Sequence, residues 1–140
     1  MGKFVVFVHA SADSEAGKLP TTQELKEMTD FNTQLANAGV MLAGEGLLQS
    51  SKGARITYSD SDPVVQKGPF PVDNLVAGYW VLKLDSLDEA ISWAKKIPFK
   101  TGSVEIRKTA EAEDFGEAYT DELKEKVEEL RKKTEEIAKQ

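Results

Sequence analysis

The 140-residue chain contains no cysteine and a single histidine, His9. The absence of cysteine excludes disulfides, thiolate chemistry and cysteine-ligated metals. One histidine also excludes a metal site that is built on several histidine ligands. We therefore expect neither a metal nor a cofactor, so that any chemistry of this chain depends on its own side chains.

Long hydrophobic runs and an excess of positive charge are also missing. Lys and Arg number 18 and Asp and Glu 24, which gives a net charge of −6. Phosphate backbones repel such a chain, so nucleic acid is not expected as a partner. No apolar run approaches the ~20 residues of a membrane helix, and the N-terminal apolar stretch is too short for a signal peptide. These absences predict a cytoplasmic protein that binds no membrane.

The first strand–helix–strand pattern covers the N-terminal part of the chain. Residues 3–9 are apolar on both faces, which is typical of a buried central strand. Residues 11–20 are rich in Ser, Asp, Gly and Pro and predict a loop. Thr21 and Glu24 then form a capping box that begins a helix. A second apolar strand starts at Val40.

The same pattern recurs after an extra β-hairpin at about residues 54 to 66. Residues 75–84 form the longest β-like run, and Ser86 and Glu89 are the ends of a second capping box. The helix that this box begins is followed by a last strand at residues 102–108. The chain therefore contains two similar strand–helix–strand halves.

Two such halves predict an α+β fold, the ferredoxin-like split βαβ sandwich. Its helices cover only one face of the sheet, whereas strands 3–9 and 75–84 are apolar on both faces. The second face also needs a cover, and the simplest cover is the sheet of a second copy. The sequence thus predicts a homodimer.

The C-terminal part differs in character, which predicts a domain at 1–110 followed by an acidic linker and an amphipathic helix at 111–140. Apolar positions recur there at steps of four and three among Glu and Lys. They are Leu123, Val127, Leu130 and Ile137, and Thr134 interrupts the series. An isolated helix of this length is marginal in water, so we expect a partner for it. The protomer's own surface, the other protomer and the same helix of a neighbouring subunit remain candidates.

Short motifs in the second half carry a resemblance to a known family. They are Lys67-Gly68-Pro69-Phe70, Gly78-Tyr79-Trp80-Val81-Leu82, Ser86-Leu87-Asp88-Glu89-Ala90, Trp93-Ala94 and Pro98-Phe99. Together they resemble the DGPF branch of the YCII-related proteins, and the resemblance covers roughly residues 3 to 108. It implies a dimeric α+β barrel of ferredoxin-like protomers in the cytoplasm, with largely unassigned biochemistry.

The chain departs from that family at two places. Lys67 stands where the DGPF motif has a carboxylate. Some YCII-like proteins carry a His and an Asp on or just after the first helix, proposed as an acid–base pair. Met28 and Asn37 lie near those places here, so that pair is not carried over.

His9 and Glu45 are the candidate catalytic residues. His9 ends the first strand and could act as a general base, since its ordinary pKa lies near neutrality; it could equally be bonded to a loop carbonyl. Glu45 lies between Gly44 and Gly46, which let a backbone approach a ligand. Its carboxylate could orient His9, or the glycines could simply permit a kinked edge strand with Glu45 in water.

Lys67, Phe70, Tyr79 and Trp80 are the candidate ligand-binding residues. The loop after Lys67 could act as a lid, with Lys67 as an anion clamp and Phe70 as an apolar plug; alternatively it is a structural turn. Strand alternation places Tyr79 and Trp80 on opposite sheet faces, one towards the helices and one towards the dimer interior. Both suit either core packing or the wall of a pocket.

These residues lead to two functional hypotheses. The first is a homodimeric α+β barrel that binds a small organic molecule in a cleft between its sheets, with cofactor-free proton transfer or isomerisation as the chemistry. The second is a non-catalytic binding or assembly module whose barrel serves dimerisation. The presence of His9 and a carboxylate at a solvent-reaching cavity would favour the first.

Overall fold

Residues 2–140 are described by the structure, a computed structural model, and they form six strands and four α-helices. The strands are β1 (Gly2–His9), β2 (Met41–Gly46), β3 (Ala54–Thr57), β4 (Val64–Lys67), β5 (Val76–Leu84) and β6 (Val104–Lys108). The helices are α1 (Ala12–Glu15), α2 (Thr22–Asn37), α3 (Leu87–Ala94) and α4 (Asp121–Ala138). The chain divides into two compact units, Met1–Thr109 and Ala110–Gln140.

Four of the strands form one antiparallel sheet with the order β2-β5-β1-β6. The two strands of each strand–helix–strand half are therefore not neighbours in the sheet. In the first half β5 lies between β1 and β2, and in the second half β1 lies between β5 and β6. This is the split βαβ order of the ferredoxin-like fold, which confirms the predicted fold class. The apolar strands β1 and β5 occupy the two central positions, as their two-faced apolarity predicted.

The hydrophobic core lies between this sheet and the helices α2 and α3. Val6 and Leu35 are the largest side chains that are fully withdrawn from solvent. The buried members of the core are Phe4, Val6, Phe31, Leu35, Trp80, Leu82, Leu84, Ala90 and Ile97. They alternate along β1 and β5 and recur at helical spacing on α2, so one sheet face and one helix stripe are buried together.

Helix α2 begins with the predicted capping box. Thr21 Oγ1 accepts a hydrogen bond from the Glu24 N–H at 3.1 Å, and Glu24 Oε1 accepts one from the Thr21 N–H at 3.1 Å. The hydrogen bond from the Thr21 backbone, followed by that from its hydroxyl, lowers the pKa of Glu24, since both favour the charged carboxylate. The helix ends before Gly39, whose φ of 73° is the left-handed conformation predicted for this glycine.

Residues 11–20 correct one prediction, because they contain helix α1 instead of a continuous loop. Ser11 Oγ accepts from the Ser14 N–H at 3.1 Å, and Ser14 Oγ accepts from the Ser11 N–H at 2.9 Å. This reciprocal pair caps the first free amides of a helical turn in the same way as a Ser/Glu box. A serine at the third position is therefore sufficient to start one turn here.

The second capping box is only half as predicted. Ser86 Oγ accepts from the Glu89 N–H at 3.2 Å and caps α3. The Glu89 carboxylate instead accepts from the N–H of Asp85 at 3.3 Å, one residue before the cap. The predicted cap by Ser86 is confirmed, whereas the prediction of a reciprocal bond from Glu89 to the Ser86 N–H is wrong.

The predicted hairpin is present as a separate two-stranded sheet, in which Ile56 pairs with Val65. Every residue of β3 and β4 is exposed.

Apolar side chains also line the face of the main sheet that is turned away from α2 and α3. There the register pairs Val5 with Val81 and Phe7 with Tyr79, and all four are half-buried.

The second unit consists of a 3₁₀ segment, Ala112–Ala118, and helix α4. The side chain of Thr120 accepts from the Leu123 N–H at 3.2 Å and caps α4. Leu123, Leu130 and Ile137 recur along one side of the helix and are exposed. No helix in residues 2–140 combines the length and the apolarity that crossing a membrane requires.

Candidate functional site

A cleft of about 230 Å³ opens to solvent between helix α2 and the sheet, where β2 and β5 run side by side. Its lining residues are Val8, Met28, Asn32, Gly44, Glu45, Gly46, Ala77, Gly78, Tyr79, Trp80 and Phe99. It therefore lies on the helix-covered face of a single protomer. The sequence had suggested a pocket between the sheets of two protomers, which is a different place.

Three glycines of β2 and β5 border the cleft. The register pairs Gly46 with Gly78 and Gly78 with Val8, so one row across three strands carries a single side chain on its helix-facing side. The neighbouring row pairs Gly44 with Trp80. Gly46 and Gly78 offer no side chain to α2, and the open space lies beside Gly46, because a Cβ atom at Gly78 would already be 3.0 Å from the Glu45 carbonyl oxygen.

The two β2 glycines do not play the same part. A Cβ atom added to Gly44 would lie 2.8 Å from Met41 Cε and 2.9 Å from Trp80 Cδ1, which is closer than packed carbons allow. A Cβ added to Gly46 would meet nothing within 4 Å. Gly44 thus lets Trp80 pack against the strand, whereas Gly46 faces open space in the cleft.

The wall of the cleft is largely aromatic. Trp80 is only 6% exposed, and its ring meets that of Phe31 edge-on, with 5.7 Å between centroids. The ring of Phe99 is also close to Trp80, with 6.4 Å between centroids. The indole N–H of Trp80 donates to Asn32 Oδ1 at 2.8 Å. One polar contact therefore joins the sheet to α2 at the cleft.

Tyr79 and Glu45, two of the sequence-predicted residues, border the same cleft as Trp80. They face each other in the β2–β5 register, and strand alternation places their side chains opposite to that of Trp80. At these two positions the cleft is therefore bordered by backbone. The side chains of Tyr79 and Glu45 project from the open face of the sheet, where Glu45 is exposed.

His9 lies outside the group of residues that line the cleft. Its Nδ1 is 2.7 Å from Ser103 Oγ, in a hydrogen bond whose direction depends on the tautomer, and its backbone N–H donates to the Ser103 carbonyl at 3.1 Å. Among the described residues, no hydrogen bond or ion pair joins His9 to Glu45. The structure thus does not bring the two candidate catalytic residues together, and their pairing stays a prediction.

Phe70 lies in a junction of its own, outside the cleft-lining group. It is 8% exposed, its N–H donates to Ser50 Oγ at 2.9 Å, and the Arg55 guanidinium lies 4.0 Å from the centroid of its ring. The Ser50 hydroxyl donates to the Glu15 carboxylate, which also accepts from the Ser50 N–H at 2.8 Å. These contacts fix the segment before Phe70 to two other parts of the chain.

Lys67 is the last residue of β4 and pairs with Ala54, so it belongs to the hairpin. The next residue, Gly68, passes so close to the Ser50 carbonyl that a Cβ there would collide with it. The backbone of this segment is therefore tightly placed against the turn at Ser50. These contacts do not show Lys67 as an anion clamp or Phe70 as the plug of a lid, and both roles stay predictions.

Asn32, Met28 and Phe99 border the cleft and were not among the sequence-predicted site residues. Met28 and Asn32 are four residues apart and therefore share a side of α2. From the sequence, Met28 was noted near the place of a family histidine, and Asn32 was not singled out. A polar residue one turn after Met28, on the same side of the helix, was the available signal.

Fold and site together define a ferredoxin-like α+β protein with a glycine-floored cleft of small-ligand size between its sheet and its first long helix. The YCII-related domain matches residues 3–113, and the chain belongs to that family. This confirms the family resemblance of the sequence motifs.

The solved structures that are similar to this chain include one with 10% sequence identity and a TM-score of 0.43. It is 5-chloro-2-hydroxyhydroquinone dehydrochlorinase (TftG) from Burkholderia phenoliruptrix AC1100, in complex with 2,5-dihydroxybenzoquinone. The similarity covers 77% of this chain and 93% of that chain. None of the curated proteins compared with the sequence matches it.

Proposed function

We propose that this chain binds a small organic molecule with a single ring in the cleft between the sheet and α2. The observation that carries the proposal is the open space beside Gly46 on β2, where an added Cβ atom would meet nothing within 4 Å. Cores are normally packed without voids. A solvent-open cleft that is left unfilled beside Gly46 and is lined by Trp80 is suited to a ligand.

The size and the walls of the cleft indicate the kind of ligand. Its volume of about 230 Å³ is below the roughly 300 to 1,000 Å³ of pockets for drug-sized molecules. Trp80 and Phe99 offer aromatic surface, and ring pairs prefer edge-on or offset contacts with such surface. A flat molecule of one ring with small substituents suits this space.

Binding is better supported than acid–base catalysis. His9 is not among the cleft-lining residues and is hydrogen-bonded to Ser103. The backbone, not the carboxylate, of Glu45 borders the cleft by the register argument above. The proposed function is therefore ligand binding, with no proton-transfer step assigned to either residue.

The test is a titration followed by NMR of the two indole N–H groups, with phenol, acetophenone and toluene as probes. Trp80 lines the cleft, whereas Trp93 packs against Phe31 from α3 with 6.5 Å between centroids. Trp93 is thus an internal reference, and a Trp93→Phe variant assigns the two signals. We expect a saturable shift of the Trp80 signal that is larger than that of Trp93.

Gly46→Val provides the matched control, because its side chain would enter the open space of the cleft. We expect this variant to remain folded and to lose the response of Trp80. If none of the probes moves the Trp80 signal at millimolar concentration, or if Gly46→Val responds like the wild-type protein, the proposed function is wrong.

We also propose that two copies of the chain associate through the open faces of their sheets. Val5, Phe7, Tyr79 and Val81 share that face and are half-buried in the single protomer. Soluble monomers rarely leave a contiguous apolar patch of this kind uncovered. A specific dimer would bury on the order of 1,600 Å² in total.

Light scattering at micromolar concentration tests this association. We expect a dimer of the wild-type chain and a monomer of Phe7→Lys, because the lysine would be placed in the middle of the shared face. Val64→Lys, on the exposed hairpin, is the control and should stay dimeric. A wild-type monomer, or a Phe7→Lys dimer, would contradict the proposal.

A further inference from the structure

The orientation of the Asn32 side chain is fixed by the chemistry of its partner. An indole N–H can only donate a hydrogen bond. The bond of 2.8 Å from Trp80 Nε1 therefore requires the oxygen of the Asn32 amide, Oδ1, as its acceptor. The other end of the amide, Nδ2 with its two N–H groups, must then point elsewhere.

This Nδ2 is a donor without a protein partner among residues 2–140. Asn32 is half-buried and borders the cleft. A donor in such a place loses free energy when an entering ligand displaces water without replacing the hydrogen bond. A ligand with an acceptor at the α2 side of the cleft avoids that loss.

The charges around the cleft indicate whether the acceptor of the ligand is neutral or anionic. Its lining residues, within the described part of the chain, include no Lys, Arg or His, and Glu45 is the one residue among them that can carry a charge near neutral pH. An anionic ligand would therefore lose solvation without gaining an opposite charge. A neutral acceptor, such as a carbonyl oxygen, has no such penalty.

We infer that Asn32, held by Trp80, selects ring-sized ligands with an uncharged carbonyl oxygen, which accepts a hydrogen bond from Asn32 Nδ2. This rests on the proposed function and adds the chemistry of the ligand to it. Asn32 is the specificity-determining residue, and Trp80 has two roles, as the wall of the cleft and as the group that orients the amide.

Four single-ring probes separate the possibilities on the wild-type protein. Acetophenone carries a neutral acceptor, benzoate an anionic one, aniline a weak acceptor with two donors, and toluene no polar group. We expect acetophenone to bind about three- to tenfold more tightly than toluene, the range that one net hydrogen bond provides. Benzoate and aniline should bind no more tightly than toluene.

Asn32→Asp is the decisive variant, because a carboxylate oxygen can still accept from Trp80 Nε1 while the ligand-facing donor is lost. We expect the preference to reverse, so that aniline binds more tightly than acetophenone. The Trp80 indole N–H signal should remain at a hydrogen-bonded position, which reports that the wall is intact. A purely structural role for Asn32 would weaken all four probes by the same factor.

The two proposals fail in different ways. If no probe binds to the wild-type protein, the proposed function is wrong. If the probes bind at the cleft but acetophenone has no advantage over toluene and benzoate, the proposed function stands and the role of Asn32 is wrong. The order of the probes on the wild-type chain decides this even if Asn32→Asp does not fold.

Discussion

Filling the cleft at Gly46 should make the protein more stable while it removes the binding site. Valine adds three carbons, and full burial would stabilise the fold by about 2.4 kcal/mol at ~0.8 kcal/mol per carbon. Gly46 lies at the exposed end of β2, so about half of that, roughly 1 kcal/mol, is a reasonable share. Removing a glycine from a strand adds about 0.5 to 1 kcal/mol.

The expected gain for Gly46→Val is therefore about 1 to 2 kcal/mol, or about 3 to 6 °C in Tm for a chain of this length. The matched comparison is Gly44→Ala, two residues away on the same face of the same strand. Its Cβ would be 2.8 Å from Met41 Cε and 2.9 Å from Trp80 Cδ1. Overpacking of this kind costs about 1 to 3 kcal/mol.

Thermal unfolding followed by circular dichroism measures both variants. The reasoning requires a higher Tm for Gly46→Val and a lower Tm for Gly44→Ala, with probe binding lost in the first. A decrease of the same size in both variants would show that the space next to Gly46 is not open. A more stable Gly46→Val protein that still binds acetophenone would place the ligand elsewhere.

Three further predictions concern other parts of the chain. The pKa of Glu24 is lowered by its hydrogen bonds to Thr21, so the stabilisation by the charged carboxylate is present above the ordinary value of 4.5 and is lost as the pH falls through the lowered value. The Tm difference between the wild-type protein and Glu24→Gln should therefore shrink in that acid range. A Tm difference that does not change with pH would refute this role of the cap. Ser50→Ala removes the hydroxyl between the Glu15 carboxylate and the Phe70 N–H and should cost about 1 to 3 kcal/mol in urea unfolding, whereas an unchanged midpoint would mean that the junction is dispensable. Truncation after Gly116 should leave the fold of the first unit intact but lower the Tm or loosen the oligomer, because the apolar seam of α4 needs a partner; rapid hydrogen exchange throughout α4 of the full chain would contradict a docked helix.

The elements that the sequence predicted well are those whose signals are local. The apolarity of both faces of residues 3–9 predicted that β1 lies in the centre of the sheet, and the Thr21–Glu24 spacing predicted the start of α2. The exchange of hydrogen bonds between Ser11 and Ser14 is also local. It was missed because a serine at the third helical position is a weaker signal than a glutamate.

The cleft could be predicted only in part, because it depends on which strands are neighbours. Gly44 and Gly46 were noted as a place where a backbone could approach a ligand. Their meaning comes from Gly78 and Val8, which are more than thirty residues away in sequence and stand beside them only in the folded register. Asn32 was missed for the same reason, since its place at the cleft is recognised only from its hydrogen bond with the indole N–H of Trp80.

The position of β1 in the sheet has a consequence for the order in which the chain can fold during synthesis. Its neighbours on both sides, β5 and β6, are the last two strands to be made, and its own register extends from Lys108 to Val76 in those strands. Until residue 108 has left the ribosome, one edge of β1 has no partner, although its Phe4 and Val6 are core side chains of the folded protein. Pairing across such long separations is intrinsically slow, and an unpaired apolar strand invites association with other chains. The interval between the synthesis of β1 and that of β6 is therefore the period in which this strand is most open to association with other chains.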